Sequence, residues 1–531
     1  MAVPAAFARV MRVLQLYANV PASEVKALAE ELDDMPGAGG ASATGEALSI
    51  PVDYANPAAV TIPAGTTFAF QDDVTKALGG APAFKFLQEA WDAVARDIGF
   101  DVSFNLAAGV HRPKPGVTFD AFTLTGKKTS GGAVRFFGAP PSQWTTVVGP
   151  LTVASFTTGA DPSLTFAGTP FLGLNLRGLH VVIGTGQVGE IHDHTDSVLR
   201  ITANPSPNPT GQTARVARPS TILRNSFNDS TPAASSSLIS FDVEGIPANF
   251  ASHEFLDVRV DTFSPSSAGW AWILGGSTGL GLILTRCLND YAEQQVQFGR
   301  NQDGRTFQTG GNGQFVQFTL CGLRCNNAGG GVNDWVFLFG AGSVAFIVDS
   351  VAYNPRLGSA AINVRDAGQL FLWRTIIDWI SQTDFGCIDL GNGGDLLGFE
   401  FGDGVFNEVR NAGVGLWMRR RSTMIEQSST AGAQTLSFKG CTVGPVRVEN
   451  GAVIDLRTTN GTHGLRNGTG NAGIGIDIIG THCAVRLASG TNVTGAGGDT
   501  RTAEGTVRSY ATVLASGPFT DNALDYLQKV S

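Results

Sequence analysis

The stretch EIHDHTDS, residues 190–197, is the sharpest local grouping of metal-ligand side chains in the sequence. Alternate residues of a β-strand point to the same face, so a strand here would align four such side chains: Glu190, His192, His194 and Asp196. Imidazoles and carboxylates at this spacing could bind a transition metal, particularly if a threefold axis brought three copies together. The alternative is a polar strand or loop facing solvent, whose histidines bind nothing. No cofactor is expected apart from this candidate metal.

A second group of acidic residues could act on a glycan. Cleavage of a glycosidic bond needs two carboxylates about 5–10 Å apart, and neighbouring coils of a repetitive β-structure could supply them. The candidates are Asp378, Asp384, Asp389, Glu400 and Asp403. Trp373 and Trp379 could offer flat faces to sugar rings. The alternative for Asp378 and Asp403 is a structural role, because aspartate is also favoured in tight turns.

The basic stretch MRRRS, residues 418–422, could contact an acidic polysaccharide or a phosphate. The alternative is a solvated turn whose arginines pair with nearby acids such as Glu426. A polysaccharide lyase would also need calcium-binding carboxylates, and the sequence has no distinctive array of them.

Composition favours a body of many short strands and tight turns. Glycine accounts for 68 of 531 residues and charged residues for only 15% of the chain, whereas about 25% charged residues is typical of globular domains. Disorder is excluded because 43% of the residues are hydrophobic. The net charge of −9 argues against a nucleic-acid-binding protein, which usually carries a basic surface.

The sequence indicates a protein made and folded in a cytosol. No apolar run is long enough to span a membrane, so membrane insertion is not expected. A signal peptide is not expected either, because Arg9 and Arg12 interrupt the segment that would have to be apolar. The six cysteines lack the spacing of a disulfide framework or a zinc site, and we interpret them as small buried side chains.

Helical periodicity is confined to the first hundred residues. Apolar residues recur every three or four positions over 5–17, 23–34 and 83–98, which predicts three helices. The last of them ends at Gly99 and directly precedes the alternating strand pattern of FDVSFNLAAGVHRP, residues 100–113. The chain therefore switches from helix to strand once, near its start.

Beyond residue 100 the hydrophobic period is two, and a short apolar pattern that ends in Asn or Asp recurs. It ends at Asn228, Asp261, Asn289, Asn326, Asn354, Asp378 and Asn407, at intervals of about 24 to 37 residues. Repeats of 20–50 residues are typical of stacked architectures, and an all-strand unit excludes helical solenoids. We place the recurring Asn or Asp in a turn, where these residues tolerate left-handed backbone.

The fold class predicted is all-β, a parallel β-helix. The open end of such a stack is an unpaired sheet edge that needs a cap, and the helix at 83–98 is placed to supply it. Residues 100–113 would then form the first coil. The predicted segments are N-terminal helices at 1–36, a linker with a small β element at 37–82, the β-helix with its capping helix at 83–500, and a C-terminal extension at 501–531.

Two stretches resemble the pectin-lyase-like right-handed β-helices of bacteriophage tail proteins. The first is FLQEAWDAVARDIGFDVSFNLAAGVHRP with the following FTLTGKKTSGGAVRFFGA, in which a helix precedes a strand and an AAG turn. The second, residues 449–500, resembles the final coils of phage β-helix proteins. The resemblance implies a right-handed β-helix, commonly a homotrimer, displayed on a virion. It also implies binding, and sometimes cleavage, of a cell-surface polysaccharide.

The expected function is that of a bacteriophage virion structural protein, similar to a tail fibre or tailspike, that attaches to a host-surface glycan. Residues 1–82 would contact other virion proteins, and a nucleic-acid partner is not expected. Two alternatives stay open. One is a glycan depolymerase, either a hydrolase or a lyase, on the same scaffold. The other is a purely architectural baseplate or decoration protein without a ligand.

Overall fold

The computed structural model describes most of the chain between residues 48 and 503. The described residues are 48–55, 68, 71–78, 83–95, 97–114, 122–129, 133–159, 161–224, 237–245, 251–261, 270–274, 280–290, 294–298, 315–324, 336–338, 344–358, 360–365, 367–381, 386–391, 395–397, 407–425, 435–456, 464–467, 470–471, 474–479, 484–487 and 498–503. The helices predicted at 5–17 and 23–34 lie outside this part. So do nearly all of the predicted small β element and most of the C-terminal extension.

Three long parallel sheets make up the body of the molecule. Sheet I contains Leu48–Val52, Val102–Leu106, Val134–Phe137, Ala251–Leu256, Leu280–Thr285, Phe315–Thr319, Val344–Val348, Gln369–Trp373, Asp395–Leu397, Thr423–Ile425, Val453–Leu456 and Ala484–Leu487. Sheet II contains Gly109–His111, Thr221–Arg224, Val258–Asp261, Leu288–Asp290, Gly322–Arg324, Val351–Gly358, Ile376–Ser381, Asn407–Arg410, Thr435–Lys439 and Gly464–Asn467.

Sheet III completes each coil. It contains Asp97–Ile98, Phe122–Thr129, Ser237–Gly245, Trp270–Leu274, Gln294–Phe298, Val336–Leu338, Ile362–Val364, Gly386–Leu390, Val414–Met418, Gly444–Glu449, Ile474–Ile479 and Gly498–Ala503. The chain visits sheets I, II and III in turn, and each strand pairs in parallel with its equivalent in the next coil. The predicted all-β chain folded as a parallel β-helix is therefore confirmed.

The stack begins earlier in the sequence than predicted. Leu48–Val52 pairs in parallel with Val102–Leu106, so a strand from the expected linker already belongs to sheet I. The described residues between these strands include helix α1 at Gln71–Leu78 and helix α2 at Leu87–Asp92. No helix in the described part of the chain is long and apolar enough to cross a membrane.

Helix α2 is shorter than the helix predicted at 83–98. Its apolar stripe is divided between two kinds of structure, because Val94 forms a β-bridge with Phe68 and Ile98 pairs with Thr129 in sheet III. Trp91 of α2 is fully buried and lies 6.0 Å, between ring centroids, from Phe104 of sheet I. The helix thus packs on the first coils, as a cap would.

Apolar side chains of successive coils stack inside the solenoid. Phe104, Phe136 and Phe255 occupy one register position of sheet I, with ring centroids 4.9 and 4.2 Å apart. All three are fully buried. Burying a large apolar side chain contributes about 1.5–3 kcal/mol, so this stack is a main source of stability for the first coils. The four cysteines within the described chain, Cys287, Cys321, Cys387 and Cys441, are free and buried, in agreement with the prediction.

The turn between sheets I and II uses left-handed backbone, but at other residues than predicted. Positive φ angles recur at Asp257, Arg286, Leu320, Asp349 and Arg374. The Asn and Asp residues singled out in the sequence lie instead within strands of sheet II, at Asp261, Asn289, Asn354, Asp378 and Asn407. Asn228 and Asn326 lie outside the described residues. The recurring pattern therefore marks a strand of sheet II in these coils, and its interpretation as a turn was wrong.

A second domain interrupts the solenoid, although the sequence analysis treated 83–500 as one continuous β-helix. A 3₁₀ turn at Pro141–Gln143 leads into a closed antiparallel barrel of six strands. The strands are Thr145–Thr157, Ser163–Phe166, His180–Ile183, Gln187–His194, Val198–Ile201 and Thr213–Arg218. The barrel has its own apolar core, which includes Val181, Ile191 and Ile201.

The barrel is inserted at a turn between sheets I and II. Gly138 directly follows the strand before it, and a Cβ there would clash with the carbonyl oxygen of Asp257. Thr221 begins the strand after it. The Thr221 hydroxyl accepts the Ala139 N–H (2.9 Å) and donates to the Ala107 carbonyl of the preceding coil (3.0 Å). One side chain thus ties both ends of the insertion to the solenoid.

Candidate functional site

The barrel lies along sheet II, and we call this contact the seam. Leu288 of sheet II is fully buried in the apolar core of the barrel. Gly322 allows the two backbones to meet, because a Cβ there would clash with the Gly178 carbonyl oxygen. The Thr202 hydroxyl donates to the Asp349 carbonyl at 2.9 Å. The seam therefore spans several consecutive coils.

Two residues of the barrel form a fully buried ion pair in the seam. Nε2 of His180 lies 3.0 Å from Oε2 of Glu190 and 3.0 Å from the Leu320 carbonyl oxygen. Burial by itself lowers the pKa of His180, but Glu190 and the Leu320 carbonyl together raise it above its ordinary value. Burial raises the pKa of Glu190, against the opposing effects of His180 and Arg324. Both groups thus hold protons more strongly than in the unfolded chain.

Both ring nitrogens of His192 have protein partners. Nε2 lies 3.0 Å from Oδ1 of Asp161, and Nδ1 lies 3.3 Å from a guanidinium nitrogen of Arg410 in sheet II. Burial lowers the pKa of His192, and Arg410 adds to this effect, whereas Asp161 opposes it. A neutral ring that donates to Asp161 and accepts from Arg410 satisfies all three groups.

The remaining two residues of the predicted metal site have other surroundings. Nε2 of His194 accepts the Leu176 N–H at 3.3 Å, and Asp196 is exposed. A bulge between Ile191 and Asp193 interrupts the register with the neighbouring strand, so the simple alternation assumed from the sequence does not hold. Within the described residues, no group of three or more His, Cys, Asp and Glu side chains could hold a metal ion. Within a single chain, the side chains of Glu190 and His192 instead make their contacts in the seam, with His180 and Arg410 respectively.

Asp378 also belongs to the seam. It lies in sheet II, and Nη1 of Arg177 from the barrel approaches its Oδ2 at 3.2 Å. The Asn411 amide donates to its Oδ1 at 2.7 Å. Arg177 pairs with Asp193 of the barrel as well, at 2.8 Å. The structure thus brings Asp378 to the same boundary as Glu190 and His192, which sequence reasoning had treated as unrelated.

The other candidate residues are dispersed. Asp389 lies in sheet III with Arg419 as its partner, so it does not form a pair with Asp378. Asp384, Glu400 and Asp403 lie outside the described residues. Trp379 is fully buried in the core, which leaves no face of its ring for a sugar. Trp373 is half-buried at the end of its sheet I strand, with the Arg374 guanidinium 5.9 Å from its ring centroid.

Asp389 belongs to a row of polar side chains on sheet III, which we call the charged ladder. Successive coils place Asp389, Trp417, Arg447 and Asp477 at one register position. Their strand neighbours Ile388, Leu416, Val446 and Ile476 point into the core, so the ladder occupies the outer face. Of these four residues, only Asp389 is among the candidates predicted from the sequence, because register between distant coils cannot be read from one strand.

Two guanidinium groups flank the indole of the charged ladder. The central carbons of Arg419 and Arg447 lie 4.8 and 4.9 Å from the ring centroid of Trp417. Nε of Arg419 donates to Oδ1 of Asp389 at 3.2 Å, and Nε of Arg447 lies 3.7 Å from Oδ2 of Asp477. The arginine side chains are 27% and 21% exposed, so a solute can reach them. Arg419 comes from MRRRS and pairs with Asp389 of the previous coil, whereas Glu426, the local acid considered in the sequence, lies outside the described residues.

Asp389 of the charged ladder and Glu449 beside it have raised pKa values. Burial raises the pKa of Asp389, although Arg419 and Arg365 favour its charged form. Burial also raises the pKa of Glu449, which is half-buried, against the effect of Arg447 and Arg419. A carboxyl group with a raised pKa keeps its proton closer to neutral pH, which is a requirement for general acid catalysis. The ladder and its immediate neighbours therefore combine two partly exposed guanidinium groups, a buried indole and one half-buried carboxyl group with a raised pKa.

Several solved structures are similar to this chain. One is the tailspike protein gp49 from Pseudomonas phage LKA1, with 12% sequence identity, a TM-score of 0.23, and 85% of this chain and 84% of that chain covered. A second is the tailspike gp61 of Pseudomonas phage phi297, with 12% identity, a TM-score of 0.18, and 85% and 84% covered.

A third similar structure is the Gp54 tailspike of Acinetobacter baumannii bacteriophage AP22 in complex with an A. baumannii capsular saccharide. Its sequence is 10% identical, its TM-score is 0.17, and the match covers 76% of this chain and 71% of that chain. No protein family model and no curated protein sequence match the chain.

Proposed function

We propose that the chain is a structural protein of a bacteriophage virion whose β-helix attaches to a host-surface polysaccharide. The observation that carries the proposal is the charged ladder on the outer face of sheet III, where the partly exposed guanidinium groups of Arg419 and Arg447 contact Trp417 and pair with the buried carboxylates of Asp389 and Asp477. Adjacent parallel strands are about 4.8 Å apart, so Asp389 and Asp477, three coils apart, span about 14 Å. This length suits several sugar units of an extended chain.

The chemistry of the charged ladder suits a sugar polymer. Sugars present hydroxyl groups to charged side chains, and the partly exposed guanidinium groups of Arg419 and Arg447, held against the buried indole of Trp417, are the donors that the ladder offers. Individual sites of this kind are weak. Many copies on one particle that engage one cell would raise the overall avidity by about 10²–10⁴.

The assembly of the protein is part of the proposal. Residues 1–82 would attach to other virion proteins, and the chain would act as a homotrimer, as the resemblance implies. Because Leu48–Val52 already pairs within sheet I, we expect the attachment surface to lie mainly before residue 48.

A binding experiment tests the proposal. The purified chain is applied to an array of bacterial capsular and lipopolysaccharide glycans, and we expect it to retain at least one. Trp417→Ala should weaken that binding about tenfold, equivalent to ~1.4 kcal/mol. Leu172→Ala on the exposed surface of the barrel serves as the control. Binding that is absent from a broad array, or unaffected by Trp417→Ala, contradicts the proposal and favours the architectural alternative.

A glycan depolymerase is the second candidate function. Glu449 is the residue that favours it, because this half-buried carboxyl group lies beside Trp417 and burial raises its pKa, whereas Asp389 is fully buried and paired with Arg419. The test is the appearance of new sugar ends when the retained polysaccharide is incubated with the protein. Reducing ends without unsaturation indicate a hydrolase, and unsaturated ends indicate a lyase. Activity that survives Glu449→Gln unchanged would exclude this carboxylate as the acid.

A further inference from the structure

The turn after the sheet III strand Val414–Met418 carries three consecutive arginines, and we call it the arginine turn (residues 419–421). The guanidinium group of its first residue lies against the indole of the charged ladder, 4.8 Å from the ring centroid. The side chains of Arg420 and Arg421 are exposed. The sequence from 417 to 424 contains no aspartate or glutamate. The arginine turn therefore concentrates positive charge beside the charged ladder.

The next coil makes the same turn with different residues. The strands before and after the two turns pair in register, which aligns Arg420 and Arg421 with the Asn-Gly pair at 450–451. All four residues have left-handed backbone, with φ angles of 52° and 66° for the arginines and 52° and 81° for the Asn-Gly pair. Glycine and asparagine adopt this conformation most readily, whereas other residues do so at a cost in stability. The neighbouring coil thus shows the relaxed solution, and the arginine turn departs from it at both positions.

Hydrogen bonds to both neighbouring coils hold the arginine turn in place. Oγ of Ser422, which is fully buried, forms a hydrogen bond of 2.7 Å with the Leu390 carbonyl oxygen of the previous coil. The Arg419 N–H donates to the same oxygen at 2.7 Å, and the Val453 N–H of the next coil donates to the Ser422 carbonyl at 2.9 Å. The guanidinium groups are therefore presented from a fixed backbone. Strained backbone that the surrounding structure retains in this way is characteristic of functional sites.

We propose that the arginine turn binds carboxylate groups of an acidic polysaccharide. A guanidinium group pairs with a carboxylate through two parallel hydrogen bonds and stays charged at any physiological pH. Arg419 keeps Asp389 as its partner and borders the site on the side of the ladder, and the exposed side chains of Arg420 and Arg421 contact the ligand. The proposal rests on the proposed function and names the class of polysaccharide that attaches.

Binding of acidic and neutral polymers to the full-length protein tests the proposal. The acidic probes are polygalacturonate, hyaluronate and polysialic acid, which differ in linkage and share the carboxylate. The neutral comparison is methyl-esterified polygalacturonate. We expect retention of at least one acidic probe at about 0.01 M salt, and its release at about 1 M salt, where the screening length is only about 3 Å. Retention of none of the acidic probes, or equal retention of the methyl ester, would overturn the proposal.

The double variant Arg420→Asn with Arg421→Gly places the residues of the next coil in the arginine turn. Since these residues already form the same turn in the neighbouring coil, the variant should fold, with a melting temperature no lower than that of the parent. It should weaken binding of the retained acidic probe at least about tenfold, equivalent to ~1.4 kcal/mol, because two charged contacts are lost. A purely structural role of the arginines would not produce this combination of retained stability and lost binding.

Lys85→Gln with Lys439→Gln is the matched control. Both lysines are exposed, and they lie before helix α2 and at the end of a sheet II strand. This control removes the same number of positive charges and should bind the acidic probe as the parent does. Equal losses in the two double variants would overturn the proposal, because net charge alone would then explain the binding. Unchanged binding by the arginine-turn variant, whatever its melting temperature, would overturn it as well.

The outcome is separable from that of the proposed function. If the protein retains a neutral polysaccharide through Trp417 but none of the acidic probes, only the assignment of the arginine turn fails. If an acidic probe binds through Arg420 and Arg421, and no glycan of the array is retained in a manner that depends on Trp417, the proposed attachment through the ladder fails and the arginine-turn site stands.

Discussion

At the scale of single residues, the molecule is organised by ionisable groups that are buried with specific partners. His180 with Glu190, His192 with Arg410 and Arg177 with Asp378 all lie in the seam. Burying a charge costs several kcal/mol unless a partner compensates it, so such pairs specify one docking position of the barrel more than they add stability. Acidic and basic residues that resembled a metal or catalytic site in the sequence therefore hold the barrel against sheet II.

Loss of Arg177 tests this role. Arg177→Met removes the cationic partner of Asp378, whose side chain is only 5% exposed, and leaves it the hydrogen bond from the Asn411 amide. We expect a loss of about 2–3 kcal/mol in the free energy of unfolding, measured by urea denaturation. Arg200→Met is the matched control, because Arg200 pairs with Asp161 near the surface and should cost less than ~1 kcal/mol. Equal effects of the two substitutions would contradict a special role for the seam.

The buried side chain of His253 should make the free energy of unfolding depend on pH. It is fully buried in sheet I, and burial lowers its pKa to about 3. The unfolded chain then binds more protons than the folded one below about pH 6.5, so stability falls as the pH decreases from 6.5 toward 3. His253 alone should remove about 2 kcal/mol between pH 7 and pH 5.

Comparison with a variant isolates this contribution from other histidines with lowered pKa values. His253→Leu places at this position the residue that occupies the same register in the next coil, Leu282. The difference in unfolding free energy between parent and variant should change by about 2 kcal/mol between pH 7 and pH 5. A constant difference over this range would show that His253 is protonated in both states or in neither.

At the scale of elements, equivalent residues of successive coils act together. Phe136 stacks on Phe104 and Phe255 in the core, whereas Phe346 stacks on Phe371 (4.5 Å) on the partly exposed face of the same sheet. Phe136→Ala should reduce the unfolding free energy by about 3–5 kcal/mol, since it opens a cavity between two rings.

Phe346→Ala provides the comparison. We expect a loss of about 1 kcal/mol, because its ring is only partly removed from water and leaves no closed cavity. Both variants are measured by urea denaturation. If Phe346→Ala were as damaging as Phe136→Ala, the outer stack would be covered in the folded protein.

Hydrophobic periodicity in the sequence was sufficient to predict some elements of the fold but not others. The two-residue alternation of Val102, Phe104 and Leu106 predicts a strand with one buried face, and that strand is present. The same alternation in the barrel strand Val198–Ile201 gives no sign that its partners are antiparallel neighbours and not the next coil. Pairing direction depends on tertiary contacts, which is why the barrel was missed.

The candidate sites show the same limit. Asp389 was visible as an acidic residue in a strand, but its neighbours Trp417 and Arg447 are 28 and 58 positions away in the sequence. Glu190 and Asp378 are 188 positions apart and meet the same seam only because the barrel folds back on sheet II. Residue type was thus readable from the sequence, whereas the assignment of each residue to a site required the register of the coils.

At the scale of the whole molecule, the solenoid supplies length and the barrel adds a second surface beside it. The barrel is inserted where other coils use only a short turn, as at Arg286 and Cys287 between Thr285 and Leu288. The strands on both sides of the insertion pair with neighbouring coils in the ordinary register. The solenoid therefore does not depend on the barrel for its strand pairing.

Removal of the barrel tests this independence. Deletion of residues 140–220 leaves Gly138 and Ala139 as a two-residue turn of the kind seen at 286–287. We expect a folded, parallel β-helix by circular dichroism, with a lower melting temperature because Leu288 becomes exposed and Asp378 loses Arg177. Adding Leu288→Ser should restore solubility if exposure of this side chain causes aggregation.

The same deletion tests where the polysaccharide attaches. The charged ladder lies on sheet III, whereas the barrel covers sheet II, so retention of polysaccharide that depends on Trp417 should survive the deletion. A variant that is folded but retains no polysaccharide would place attachment on the barrel.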